Sequence, residues 1–381
     1  MLTPLCKQMF PFDPDTVYLD HGAYGAVPLV VKEAHAKCDE YIARNPSRFF
    51  HDEQPIKWRE IANLIARRFG AEEDDVAIVD NVTTGANAVF QSLSFQPGDE
   101  ILSTSLSHGG LGMALDDLAK QKGLTVVKAL LRFPDPDPQQ CIEAVASALT
   151  PRTKLAIFDH ITSKTALMLP VTEMTRLCHA HGVAVLIDGA HVPGNITLDL
   201  PTIGADWYVA NLHKWHFAHI SCGFLWAKKD KREKLRPAIK SYEIDRPFPE
   251  CFKWPGTRDA LPWLSVEAAF GFMDERGTEN VLRHNHALIR EAVQLLSEDW
   301  GQKTTPPHSM ISSMSTLPLP SHIDFKATVE DSEKLQHHLW DQYKIQCGVA
   351  CLEKQLYVRV SAQIYNSIED YTALARAIKR A

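Results

Sequence analysis

Val183–Phe217, VAVLIDGAHVPGNITLDLPTIGADWYVANLHKWHF, decides the fold. It contains two apolar runs. Val183–Ile187 breaks into Asp188-Gly189-Ala190-His191, and Trp207–Ala210 breaks into Asn211-Leu212-His213-Lys214-Trp215. Short β-rich runs that end in Gly, Asn and polar residues read as buried strands whose C-terminal tips carry chemistry. One tip then holds a carboxylate beside His191, and another an amine beside His213. A carboxylate to keep a ring nitrogen protonated and an amine to form a Schiff base with an aldehyde are what a pyridinium cofactor requires. Trp215 and Phe217 follow Lys214, and desolvation there favours the neutral, nucleophilic amine. The alternative for both residues is a solvated surface charge, the commonest state of Asp and Lys.

Upstream, strands and helices alternate. Val76–Val79 reads as a strand, followed by Asp80–Asn87 and then by Val89, Phe90 and Leu93 at helical spacing. Amides and hydroxyls of Thr83, Thr84 and Gly85 at that helix N-terminus make an anion site. N-capping by Thr83 or Thr84 satisfies the same pattern. Ile101–Ser103 is a strand opening into Ser107-His108-Gly109-Gly110 and a helix to about Lys122, where His108 is placed either to stack on a flat ligand or to lie on the surface. A strand over Thr125–Leu131, a helix over Gln139–Leu149, a strand over Leu155–Asp159 ending at His160 and a helix over Thr172–His181 lead into the opening stretch. This alternation predicts an α/β fold with a large, mostly parallel sheet and helices on both faces. Residues near 108, 160, 188 and 214 then collect at one sheet edge.

The two ends read differently. Residues 1–20 form an irregular arm with a strand candidate at Val17–Leu19, and Asp20–Pro28 is a Gly-punctuated turn carrying His21 and Tyr24. Such loops line sites or simply precede a helix. Trp58, Ile61, Ile65 and Phe69 recur at helical spacing up to Gly70. Lys228–Lys240 reads as a solvated helix face. Past a Pro- and Trp-rich connector, a helical region spans Leu264–Trp300 with a break at Gly277. Ile323–Phe325 is a strand candidate, followed by a helix over Ser332–Tyr343, the strand Leu356–Val360 and a closing helix. The expected organisation is an arm (1–20), a large domain (21–250) and a smaller α+β domain (251–381). Arg359 on the last strand needs an anion, and an internal acid or a ligand carboxylate serves equally.

With 381 residues, 45% of them hydrophobic, the chain can bury a core of about two domains. Its net charge of −7 gives no basic footprint for nucleic acid. Eight cysteines without CxxC spacing fit a reducing compartment. The N-terminus lacks the pattern of a signal peptide, and no apolar run reaches membrane-span length. A soluble, cytoplasmic protein is expected.

Five segments, in order, resemble the class V aminotransferase superfamily of pyridoxal-phosphate (PLP) enzymes, fold type I, and within it the isopenicillin N epimerase-like branch. They are Tyr18-Leu19-Asp20-His21-Gly22, Asn81–Asn87 (NVTTGAN), Asp188–Gly194 (DGAHVPG), Asn211–Trp215 (NLHKW) and Arg359–Asn366 (RVSAQIYN). The resemblance implies that Lys214 bonds the cofactor aldehyde and that Asp188 pairs with the pyridinium nitrogen. It also implies that Thr83, Thr84, Gly85 and His213 hold the phosphate with Asn211, that His191 lies near the phenolate oxygen and that His108 stacks on the ring. Ser105–Gly110 departs from the branch's usual pattern. Arg359 is implied to clamp the substrate α-carboxylate; His21 and Tyr24, on the Gly-punctuated loop, are the other substrate-side candidates. Gly256-Thr257 matches a segment that reaches the partner subunit's phosphate in relatives, so a homodimer is implied.

The chemistry so implied is amino-acid capture as an imine followed by Cα deprotonation, leading to epimerisation or C–S elimination. Sulfur transfer to a cysteine, with Cys347 and Cys351 as candidates, and amino-group transfer are the alternatives. Two other classes compete. His213, His216 and His219, spaced at three, raise the possibility of a metallohydrolase. A catalytically silent binding protein of the same fold is the other.

Overall fold

A computed structural model describes residues 4–302 and 306–381. Its strands in chain order are β1 (Val17–Tyr18), β2 (Val76–Val79), β3 (Glu100–Thr104), β4 (Thr125–Ala129), β5 (Thr153–Asp159) and β6 (Ala184–Gly189). β7 (Trp207–Asn211), β8 (Gly223–Ala227), β9 (Met314–Pro318), β10 (Ile345–Gln346), β11 (Gly348–Leu352) and β12 (Gln355–Ser361) follow. Seven of them form one sheet in the order β2-β8-β7-β6-β5-β3-β4. Only β8 runs against its neighbours, being antiparallel to both β7 and β2. The central strands are buried on both faces, which explains why they read as unbroken apolar runs rather than alternating ones.

Because six strands share one direction, the residues that follow β2, β3, β5, β6 and β7 converge on one edge. β5 and β6 are in register at their tips, with Asp159 opposite Asp188. The helix Val82–Ser92 packs close to β7 because Gly85 leaves no gap: an added Cβ would lie 2.8 Å from Val209 Cγ1.

The second sheet is three-stranded, β11-β12-β9, and antiparallel. Its core includes Leu288, Ile289, Leu335, Val358, Tyr371 and Leu374, and Leu19 from the N-terminal segment joins it. β1 pairs in parallel with β10, so the Val17–Leu19 expectation is met by a strand that belongs to this second unit. The expected break at Gly277 separates the helices Val266–Arg276 and Thr278–Trp300, with Gly277 at φ +71°. Ala260, Trp263, Val266, Ala269 and Phe270 pack in the core of the large sheet rather than with the second.

Two expectations need correcting. Lys228–Lys240 holds no helix beyond a single turn at Lys229–Lys231. Pro237 cannot continue a helix, and Arg232 and Arg236 instead donate to the Ala227, Glu233 and Leu235 carbonyls. Ile323–Phe325 is not a strand; the strand lies earlier, at Met314–Pro318. It is almost entirely buried despite its Ser and Thr, and Pro318 is tolerated because β9 is a sheet edge.

Candidate active site

A cavity of about 140 Å³ opens at the C-terminal ends of the large sheet's strands. Thr83, His108, Asp188, His191, Asn211 and Lys214 line it, so six expected site residues from four different strand ends meet there. Asn81, Asp159 and Ser163 line it as well, and sequence reasoning gave them no role.

Lys214 follows β7 in a turn with Trp215 and Phe217 fully buried beneath it. The loop Asp20–Ala26 presses on the same turn. An added Cβ at Gly25 would meet the Lys214 carbonyl at 2.1 Å, which leaves only glycine possible there. Burial lowers the Lys214 pKa to about 8, with the Arg359 charge adding to the shift and Asp188, Asp20 and Asp159 opposing it. Lys214 Nζ lies 3.1 Å from His191 Nε2.

Asp188, next to last in β6, is buried, with Oδ1 accepting the Ala190 N–H at 2.8 Å. Burial raises its pKa, against that hydrogen bond and the charges of His108 and Lys214. Asp159 on the neighbouring tip is raised well above the carboxylate range by burial and then by the Asp188 charge. Its Oδ1 accepts the His108 N–H at 3.2 Å, which anchors the loop after β3 to β5. Two buried carboxyls side by side do not both ionise at neutral pH. The repetition of Asp at two adjacent strand ends was the available signal for Asp159.

At the start of the helix Val82–Ser92 the capping question resolves. Asn81, not Thr83 or Thr84, is the N-cap and accepts the Thr84 N–H at 2.9 Å, while Asn211 Oδ1 accepts the Val82 N–H at 2.9 Å. Thr83 is exposed on the cavity wall. Thr84, Gly85 and His213 stand outside that wall. His213 Nδ1 lies against the Cys222 main chain, and burial lowers its pKa to about 4.

His21 is fully buried, Nδ1 2.8 Å from the Tyr365 hydroxyl and its ring packed against Trp215 and Phe217. It supports the Lys214 turn and is not part of the cavity wall. Tyr24 is 70% exposed and Thr257 is exposed, both off the cavity. Next to Thr257, Arg258 pairs with Asp80 at 2.7 Å, which brings this segment to the residue before Asn81. Arg359 pairs with Asp20 at 2.7 Å, the internal acid left open by sequence, and also donates to the Ser163 carbonyl. His160 is turned to the Tyr208 hydroxyl at 2.9 Å rather than to the cavity.

The three histidines of the metal alternative are not brought together. His213 bonds to Cys222, His216 packs between Phe69 and Phe270, and His219 stacks on His35. No group of three or more metal-ligating side chains is assembled among the described residues. No helix among them is long and apolar enough to cross a membrane.

The chain is 30% identical to a probable chloroplastic L-cysteine desulfhydrase of Arabidopsis thaliana, over 96% of this chain and 83% of that protein. It is 28% identical to an isopenicillin N epimerase of Streptomyces clavuligerus, over 96% and 95%. In fold it resembles the cystine C–S lyase C-DES (TM-score 0.81, 21% identity, 97% and 98% covered). It also resembles a cysteine desulfurase of Escherichia coli (TM-score 0.80, 20% identity, 99% and 98% covered). The model of the aminotransferase class-V family matches residues 17–374, and the chain belongs to that family of PLP-dependent enzymes.

Proposed function

We propose that the protein is a PLP-dependent C–S lyase that eliminates the sulfur substituent of cysteine or of a cysteine derivative. The observation that carries this is the convergence, in one cavity, of an amine with a lowered pKa and a buried carboxyl that makes no ion-pair contact among the described residues. The donor set fits PLP. Asp188 keeps one oxygen for a pyridinium N–H, Lys214 is enriched in neutral amine for an aldehyde, and the Asn81–Gly85 helix start suits a phosphate.

PLP, when bound, supplies an aldehyde that captures the substrate amine and a ring that draws electron density from Cα. Asp188 would keep that ring protonated, and His108, which lines the same cavity from the loop after β3, would lie beside it. Arg359 orients the substrate carboxylate. The Lys214 amine would take the Cα proton as general base. In the elimination the Cα–H electron pair becomes the new Cα–Cβ bond order, and the Cβ–S pair departs with sulfur. Cysteine thereby yields sulfide and aminoacrylate, whose imine tautomer is hydrolysed by one water to pyruvate and ammonia. Elimination needs one base at Cα, which Lys214 supplies. Epimerisation, the second reading, is favoured by the epimerase relative covering 96% of this chain, and it needs a second acid on the opposite face.

Sulfur transfer to a cysteine of this chain is disfavoured by geometry. Cys347 is sealed and its thiol is pushed up by burial, and Cys351 is fixed in β11, opposite Leu356 of β12. We further propose that the protein is a homodimer in which Thr257 reaches the partner subunit's phosphate site. The substrate test offers cysteine, cysteine sulfoxides and other amino acids to the holoenzyme. Stoichiometric pyruvate from a sulfur substrate supports lyase chemistry; racemisation without pyruvate overturns it in favour of the epimerase.

A further inference from the structure

Arg359 commits both terminal guanidinium nitrogens to the protein before any ligand arrives. Nη2 donates to Asp20 Oδ1 at 2.7 Å and Nη1 to the main-chain oxygen of Ser163, a cavity residue, also at 2.7 Å. Nε has no partner among the described residues and is shut off from solvent. The pair is nearly sealed, with 12% of the Arg359 and 9% of the Asp20 side chain exposed. β11 packs over it at Gly348, which is opposite Arg359 in register, and an added Cβ there would lie 3.5 Å from Arg359 Nε and 3.6 Å from Asp20 Oδ1. An entering carboxylate that pairs with Nη2 shares or takes the donor held by Asp20.

We infer that Asp20 is an internal competitor for the substrate carboxylate, and that it takes up one proton from solvent when a ligand carboxylate claims Arg359. The inference rests on Arg359 being the carboxylate clamp. The groups that face Asp20 are Arg359 on β12, Lys214 after β7, the Cys347 thiol beside β11 and the hydroxyls of Tyr18 and Tyr365. The thiol and both hydroxyls are pushed up by burial and stay neutral, so Arg359 and Lys214 are the positive charges that balance this carboxylate. Burial already raises the Asp20 pKa against the pull of Arg359. A second carboxylate on the same guanidinium removes part of that pull, and a buried carboxylate without its cation protonates. Between the ligand-free and ligand-bound pKa values of Asp20, binding consumes a proton and affinity falls as pH rises. Asp20 is thus a positioning residue that sets how tightly the site holds a carboxylate.

Calorimetric titration of the holoenzyme with 3-mercaptopropanoate, which has a carboxylate and no amine to react, tests this. Run from pH 5 to pH 9 in pairs of buffers of different ionisation enthalpy, it counts the protons. The wild type is expected to take up close to about one proton per ligand at some pH in this range, while Asp20→Asn binds about tenfold tighter at pH 8 with uptake near zero. Asp20→Ser replaces Asp20→Asn if the latter does not fold. Zero uptake by the wild type at every pH, or undiminished uptake in the variants, overturns the inference. Arg359→Gln separates the two levels. If it abolishes binding while the wild type takes up no proton, the clamp stands and only the competitor fails; if it binds like the wild type, the clamp reading fails too.

Discussion

Trp215 Nε1 lies 3.3 Å from His191 Nδ1, and the other nitrogen of that ring lies 3.1 Å from Lys214 Nζ. An indole N–H only donates, so Nδ1 is an acceptor and the neutral ring carries its proton on Nε2. Burial, then the Lys214 and Arg359 charges, keep His191 neutral well below its usual pKa. Nε2–H therefore faces the amine and is satisfied by Lys214 in its neutral form.

With the Lys214 pKa at about 8, the rate at which the resolved apoenzyme takes up PLP should rise about fivefold from pH 7 to pH 8 and level off above pH 9. Trp215→Phe frees the imidazole to turn its lone pair on the amine, which favours the ammonium. Its uptake profile should shift to higher pH, as measured by stopped-flow absorbance. An unshifted profile would show that the indole does not control the amine.

Asp159→Asn should become more stabilising as pH rises. The folded-state pKa of Asp159 lies above its unfolded value, so its contribution is fully present below about pH 4 and is lost as pH climbs toward the folded value. Asparagine carries no such cost. Thermal melting at pH 5 and pH 8 should show the gap in favour of the variant widening with pH; a constant or shrinking gap contradicts a proton held on Asp159.

Cys347→Ala and Cys351→Ala should leave sulfide release within about twofold of the wild type, apart from the packing cost of the buried methyl-sized deletion. Loss of a nucleophilic thiol would instead cost orders of magnitude. Sulfide yield per pyruvate distinguishes the cases.

Gly189→Ala should cost about 3 kcal/mol or more, read as a lowered denaturation midpoint, because the added methyl would sit 2.1 Å from the Tyr208 ring. An unchanged midpoint would mean that Tyr208 and its bond to His160 are free to move.

The large sheet was legible because its strands are apolar on both faces and stop at Gly, Asn or Asp, as at Val76–Val79, Asp188 and Asn211. The residues at those tips carried the candidate site with them. What escaped were relationships between distant segments. Nothing local to Asp20 announces that it faces Arg359, 339 positions away, and the Gly-rich look of Asp20–Gly25 hid a loop packed against the Lys214 carbonyl. The buried edge strand Met314–Pro318 was masked by its Ser and Thr, because hydropathy does not record a hydroxyl satisfied in the interior. His21 read as a site residue because polar aromatics in loops often are; here Trp215, Phe217 and Tyr365 enclose it.

The central claim is that one lysine bonds the cofactor and also serves as the base. Borohydride reduction of the purified holoenzyme, followed by peptide mass analysis, tests it most directly. The account predicts a pyridoxyl-phosphate adduct on Lys214, and loss of both adduct and turnover in Lys214→Met. An unmodified Lys214, or a Lys214→Met protein that keeps its colour and turnover, would contradict it.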